Sequence, residues 1–316
     1  MKDGILIINK PQKWTSHDCV AVCRKASGVK KVGHGGTLDP MAEGLLPIFF
    51  GRAAKIMEYL EPDYKTYICT AKLGLITDTL DIWGSVLEER AISGITEDDV
   101  RNALGEFTGY IEQIPPKYSA VRINGRRLYE YARKGEVVEA RPRRVHIKNL
   151  DIRKIDMATG SVSFEVTCSK GTYIRSICDD LGDALGCGAA MQSLCRTESG
   201  VFSLNSAVSP DEIKEMEAAQ IEKLLLPVDT PLVRFGRAEM KSDRAVFFCN
   251  GNSIRWSQIS VTETPDTGIA GNKDGRGADF GKMYRVYEAG SGKFLGIGYR
   301  DEVKHVLKAH KVLADI

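Results

Sequence analysis

The chain has no apolar run long enough to cross a bilayer, which takes about 20 residues. Its N-terminus, Met1-Lys2-Asp3-Gly4, leads directly into a strand-like run, so no secretory leader is expected. The expected compartment is the cytoplasm, away from any membrane. Zinc spacing is also lacking. The eight cysteines (Cys19, Cys23, Cys69, Cys168, Cys178, Cys187, Cys195 and Cys249) contain no C-x-x-C pair, and the five histidines do not cluster with them. Their mostly apolar neighbours mark them as small buried hydrophobes of a reducing compartment. An excess of one charge is missing as well. Lys plus Arg number 44 and Asp plus Glu 42, so the net charge of +2 names no partner. Internal repeats are absent, and so is the strict strand–helix alternation of a doubly wound sheet.

What is present suits an ordinary globular protein. With 316 residues and 43% hydrophobic content, the chain can bury a full core without disulfides or metals. One large and one small domain, or two medium ones, fit that length. Basic residues concentrate at Lys30-Lys31, at Arg126-Arg127, and at Arg141, Arg143 and Arg144 around Pro142. They form either a one-sided phosphate-binding surface or a solvated face with acidic neighbours. Without a second observation the solvated face is the simpler reading.

Local patterns predict the elements. Gly4 to Ile8 reads as a strand ended by Asn9-Lys10-Pro11. Thr15, with Asp18 three residues on, resembles a capping box opening a helix to about Ala26. A glycine loop, Gly33-His34-Gly35-Gly36, follows. Leu45 to Phe50 reads as a buried strand, Arg52 to Leu60 as a helix and Lys65 to Leu73 as a strand. Thr96 caps a helix to about Leu104, and Gly125 to Arg133 reads as a short helix. Val145 to Ile155 and Ser161 to Cys168 read as paired strands, and Thr172 as the cap of a helix to Leu185. The mixture predicts an α+β fold. A boundary falls near Pro227 to Gly236, beyond which Ala245–Cys249, Met283–Tyr287 and Phe294–Tyr299 read as strands. Glu263 to Gly281 reads as a polar, glycine-rich loop.

Asp39 is the residue with the sharpest chemistry, and its local pattern is ambiguous. Pro40 pushes it into extended geometry. Asp followed by Pro is also a common helix start, with Asp as cap and Pro at the first helical position. On local pattern alone the cap is the commoner explanation.

Its surroundings change the balance. The run from Gly33 to Pro47, containing Gly36-Thr37-Leu38-Asp39-Pro40, closely resembles the nucleophile motif of the pseudouridine synthases that act on the tRNA T loop. Four more segments resemble the same family, in the same order. They are Gly4 to Pro11 with Thr15-Ser16-His17; Tyr67 to Asp81 with Thr77-Asp78-Thr79-Leu80-Asp81; Gln113 to Ala120 with Gly125 to Arg133; and Cys168 to Arg175 with Asp180-Leu181-Gly182. The resemblance is dense from residue 4 to about 205 and is strongest to the stand-alone bacterial tRNA pseudouridine-55 synthases, the TruB family.

The resemblance implies a chemistry that fits the absences. Rejoining the sugar of uridine from N1 to C5 gains and loses no atoms, so no cofactor and no metal is expected. Asp39 is implied as nucleophile, ionised at neutral pH from a reference pKa of about 3.9. Arg175 is implied as its partner, although an i to i+4 pair with Asp179 is open to it. Tyr67 is implied to stack on the flipped uracil, against the plainer reading of a half-buried strand tyrosine. His34 is implied to wedge into the T loop, or is a turn histidine without a task. Lys55 and Tyr173 are implied in RNA or base binding, and Leu194 in lining the base pocket, with solvated lysine and ordinary core as alternatives for Lys55 and Leu194. The chain departs from the family at Asn9, Gly35, Glu43, Ala54 and Arg122, which bears on RNA contact near the loop and not on the reaction.

Residues 237–316 more weakly resemble a PUA domain, a small β-barrel, which implies backbone binding at the tRNA acceptor stem. Residues 1–236 would then be the catalytic domain. The expected protein is a monomer with tRNA as partner and no guide RNA. The guide-dependent, dyskerin-type relatives usually carry an extension before the first motif, whereas Gly4 begins it here almost at once. An RNA-binding helper of tRNA folding is the alternative from a different class.

Overall fold

The computed structural model describes residues 3–60, 64–266 and 280–314. Residues 267–279, most of the loop expected from Glu263 to Gly281, lie outside the described residues. Among the described residues, one sheet of nine strands organises the first two-thirds of the chain. Its main members are β1 (Gly4–Lys10), β2 (Val32–His34), β3 (Glu43–Phe50), β4 (Lys65–Leu73), β5 (Gly109–Gln113), β6 (Arg143–Asp156), β7 (Ser161–Cys168) and β8 (Ala189–Ser199). The order is β1-β3-β8-β4-β7-β6-β5, with β2 paired to β3. Along this path every pairing is antiparallel except β3 with β8. The helices α1 (Ser16–Ser27), α2 (Glu97–Gly105) and α3 (Ile174–Ala184) complete the α+β fold.

Patterning explains which faces are covered. In β7, Val162, Phe164, Val166 and Cys168 are buried while the residues between them are not, a period of two that lays one face on the core. β3 is buried along both faces. Leu46, Ile48 and Phe50 enter the main core beneath α1, α2 and α3, while Leu45 and Phe49 enter a second core with Tyr59, Phe235, Met283, Ile297 and Leu313. Gly44 makes the β3–β8 crossing possible. Its φ is +101°, and a Cβ there would lie 2.4 Å from the carbonyl oxygen of Arg196.

Several predicted elements take a different form. His34 and Gly33 belong to β2 and not to a free loop, because Val32–His34 finds a partner edge on Ile48–Phe50. Gly51–Leu60 is a 3₁₀ helix. Gly125 to Arg133 splits into the end of a hairpin, Arg126–Arg127, and a short helix, Leu128–Ala132. Ala245–Cys249 is the end of the helix Ser242–Cys249, an error invited by a short apolar run that fits either structure. Asp39-Pro40 starts no helix. Ala42 N donates to Asp39 O at 3.1 Å, and the chain turns directly into β3. Thr15 and Thr96 do form capping boxes. Thr172 does not cap α3. Its hydroxyl donates to Ser169 O, and Tyr173 occupies the cap position without a side-chain bond. Gln113 from β5 sets this helix start instead. Its amide oxygen accepts from Tyr173 N at 3.0 Å and its amide nitrogen donates to Tyr173 O at 3.2 Å.

Beyond Phe235 a second sheet of six strands curls into a half-barrel. Its path runs Ile254–Arg255, Val306–Val312, Phe294–Asp301, Met283–Glu288, Gly236–Met240, Ile259–Glu263, and its two end strands do not pair with each other. The second core joins it to β1, β3 and the 3₁₀ helix, with the Tyr59 ring edge-on to Phe235 at 5.4 Å.

Candidate active site

The Asp39 loop is pinned from both sides. Ser16, the first residue of α1, is buried and bonds both polar groups of Leu38. Its Oγ accepts from Leu38 N at 2.9 Å and donates to Leu38 O at 3.3 Å. On the other side Lys13 N donates to Pro40 O at 2.8 Å. Leu38 and Met41 point into the main core. The side chain between them, Asp39, is left 46% exposed.

Behind Asp39 stands Arg175, whose side chain is only 6% exposed. Its Nη2 lies 2.8 Å from Asp39 Oδ2 and donates to Tyr118 O at 2.9 Å. Its Nη1 donates to Thr79 O at 3.0 Å and lies 3.6 Å from Asp81 Oδ2. The guanidinium is therefore held by two carbonyls and shared by two carboxylates, and its ion pairs do not run to Asp179. Asp179 is instead pushed above the ordinary carboxylate range by burial and by Asp183. The arrangement holds one buried cation against an accessible anion, with main-chain groups fixing its orientation.

Tyr67 sits on β4 between Val166 of β7 and Arg196 of β8. Burial raises its phenol above the usual range, opposed by the Arg196 charge. Leu194 is buried on β8, in the same cluster as Leu38, Met41 and Tyr67. His34 meets His17 edge-on at 5.2 Å. Burial lowers its pKa, and its Nδ1 has no partner among the described residues. Tyr173 is held by Gln113, two residues before Arg175. Lys55 lies apart from this group. It is on the 3₁₀ helix and donates to Val312 O of the last strand at 3.2 Å.

Three residues of this neighbourhood escaped the sequence reading. Asp81 was visible in the second motif, but its pairing with Arg175 was not. Lys10 is fully buried and donates to Pro11 O at 3.0 Å and Trp14 O at 2.8 Å. Burial lowers its pKa, while Cys19, Asp39 and Glu43 pull the other way. Arg196 is also fully buried. It donates from Nε to Leu45 O at 2.8 Å and from Nη2 to Gly36 O at 3.3 Å, and so ties β3 to the nucleophile loop. Its Nη1 has no partner among the described residues. Nothing in Cys195-Arg196-Thr197 announces this; only the strand register does.

A half-open carboxylate backed by a guanidinium, beside a buried tyrosine and leucine, can present an anion to a sugar while holding a flat base. No group of His, Cys, Asp and Glu suited to a metal occurs among the described residues, and no described helix is long and apolar enough to cross a membrane.

Solved structures share the fold. A Cbf5-Nop10-Gar1 complex matches with a TM-score of 0.70 at 23% identity, covering 98% of this chain and 84% of that one. An H/ACA ribonucleoprotein bound to a substrate RNA containing 2'-deoxyuridine matches at 0.69 and 22%, covering 99% and 85%. The architecture is that of a pseudouridine synthase. The pattern of the TruB family pseudouridylate synthase N-terminal domain matches residues 24–174, and that of the tRNA pseudouridylate synthase B C-terminal domain matches residues 175–233. The chain belongs to the TruB family of pseudouridylate synthases. Among its relatives, tRNA pseudouridine synthase B of Alkaliphilus oremlandii is 45% identical over 80% of this chain and 83% of its own length. That of Clostridium novyi is 38% identical over 98% and 99%.

Proposed function

We propose that this chain isomerises uridine to pseudouridine in tRNA, at the T-loop position 55, with Asp39 as nucleophile. The observation that carries the reading is the pair of Asp39 Oδ2 and Arg175 Nη2 at 2.8 Å, with the carboxylate open to solvent and the guanidinium buried. The pair holds the Asp39 carboxylate aimed outward. The N1–C1′ bond of the flipped nucleotide breaks, the uracil turns, the C5–C1′ bond forms, and the C5 proton leaves as N1 gains one. Asp39 acts on the sugar, either by attack at C1′ or by way of a glycal. Tyr67 stacks on the uracil and Leu194 lines the pocket. His34, with Tyr173, meets the surrounding loop, and Lys55 contacts RNA farther off. The relatives named tRNA pseudouridine synthase B at 38–45% identity support tRNA as substrate, and the reaction proceeds without a guide RNA. Residues 1–236 form the catalytic domain, and residues 237–316, which contribute most of the half-barrel, grip the acceptor stem, in a monomer working in the cytoplasm.

Tritium release from C5-labelled uridine in a tRNA transcript tests the assignment. The wild-type chain should release tritium, and Asp39→Asn should bind the transcript without releasing it. Full activity in Asp39→Asn would end the assignment. A helper of tRNA folding would anneal tRNA and leave the label in place with either chain.

A further inference from the structure

Ile82 and Trp83 occupy the two central positions of a tight turn, closed by Gly84 N donating to Asp81 O at 3.1 Å. Such positions favour Gly, Pro, Asn, Asp and Ser. Here both are large and apolar, and they stand 41% and 47% exposed. Neither belongs to a core cluster among the described residues. The other two tryptophans are engaged. Trp14 packs on the main core with Lys214 Nζ 4.9 Å above its ring, and Trp256 stands 5.3 Å from Tyr284 and 4.5 Å from the Arg300 guanidinium. The Trp83 ring has no ring or cation partner among the described residues. Packing therefore gives no reason for a tryptophan here.

The turn is nonetheless fixed, and by the same groups that hold the active site. Asp81 Oδ1 accepts from Trp83 N at 3.1 Å and from the Thr79 hydroxyl at 2.8 Å. The other oxygen of that carboxylate faces Arg175 Nη1 at 3.6 Å, and Arg175 pairs with Asp39. Ile82 N donates to Met191 O at 3.0 Å, three residues before Leu194 on β8. One carboxylate thus fixes both the partner of Asp39 and the main chain of an exposed indole.

We propose that Trp83 is a stacking platform for an unpaired base of the RNA substrate, next to the nucleotide that enters at Asp39. The proposal rests on the RNA-modifying reading above. Extruding a nucleotide unstacks its neighbours, and an enzyme that does so must hold them. An indole face serves any base, so the contact fixes position and not sequence. Asp78 lies beside the turn, its Oδ1 accepting from Ser85 N at 2.8 Å, while Glu88 farther along is paired with Arg90 at 2.8 Å. The turn itself, Asp81 to Gly84, carries no cation for a phosphate and suits the face of a base.

The test uses the full chain, a fluorescein-labelled T-arm RNA hairpin and the tritium assay. Trp83→Ala should raise Kd for the hairpin and KM for tRNA about five- to a hundred-fold while leaving kcat unchanged. Trp83→Phe should restore most of the loss. The chain has three tryptophans, so Trp83 alone emits in a Trp14→Phe, Trp256→Phe, Asp39→Asn background. Its emission should be quenched as hairpin is added. The proposal is overturned if the wild-type chain binds and converts RNA while Trp83→Ala keeps Kd and KM within twofold, or if the indole emission does not respond. A fall in kcat that phenylalanine does not rescue would assign Trp83 to holding Asp81 and overturn it as well. A wild-type chain that neither binds the hairpin nor converts tRNA would overturn the RNA reading itself, an outcome the anisotropy titration separates from the others.

Discussion

Removing one hydroxyl should separate the stability of this protein from its catalysis. Ser16 Oγ serves both polar main-chain groups of Leu38, the residue before Asp39, at 2.9 and 3.3 Å. Ser16→Ala leaves a buried N–H and a buried carbonyl without that partner. Each such group costs about 1–3 kcal/mol, a ceiling of about 6 kcal/mol for the two. The Lys13–Pro40 bond and the burial of Leu38 and Met41 persist, so the loop relaxes and does not detach. A loss of about 2–3 kcal/mol in urea unfolding is expected. The Thr15–Asp18 capping box lies one residue earlier and should keep α1 intact. The effect on rate should be larger than the stability loss implies. A displacement of about 1 Å at a reacting group can cost about a hundredfold, so kcat for tritium release should drop ten- to a hundred-fold, on the order set by that displacement. KM should hold, because Tyr67 and the RNA-binding surfaces are untouched. If Ser16→Ala unfolds as expected yet turns over at the wild-type rate, Asp39 is not positioned through Leu38, and the account of the loop is wrong.

Two further outcomes follow from the packing. Asp180 is held up at about 6 by burial and by the charges of Asp179 and Asp183. Its unfolded value is lower, so the folded state is penalised as pH rises from about 4 through about 6 and carries the full penalty above that. Asp180→Asn should therefore raise the urea midpoint at pH 7.5 and leave it unchanged near pH 4; equal gains at both would refute the shift. Gly44→Ala should destabilise by about 3 kcal/mol or more, since it adds strain at positive φ to a clash with the Arg196 carbonyl. A thermal midpoint within two or so degrees of wild type would show that the β3–β8 crossing gives way.

Much of this was legible because it is local. The boxes at Thr15 and Thr96 lie within four residues, and the alternation in β4 and β7 within nine, so sequence determines them directly. The ordered motifs named Asp39, Tyr67 and Arg175, and the first and third do meet in an ion pair. What was not legible depends on distant pairing. Thr172 failed as a cap because Gln113, 60 residues away along the chain, takes over the helix start. Asp39-Pro40 failed as a helix start because residues 43–50 are claimed by β1 and β8. Arg196 reaches Gly36 across 160 residues, and no local window contains both.

β3 is covered on its two faces by different stretches of chain, and this sets an order for synthesis. The Leu46 face can be sealed by elements that end with the helix Ala218–Leu224. Leu45 and Phe49 wait for Leu232, Phe235, Met283, Ile297 and Leu313. On the ribosome, this face of the strand, covered early only by β1, the 3₁₀ helix and Phe202, therefore stays partly open until the last strand of the half-barrel has emerged. Activity should arrive late, once the half-barrel completes the cover over the strand beside the nucleophile loop.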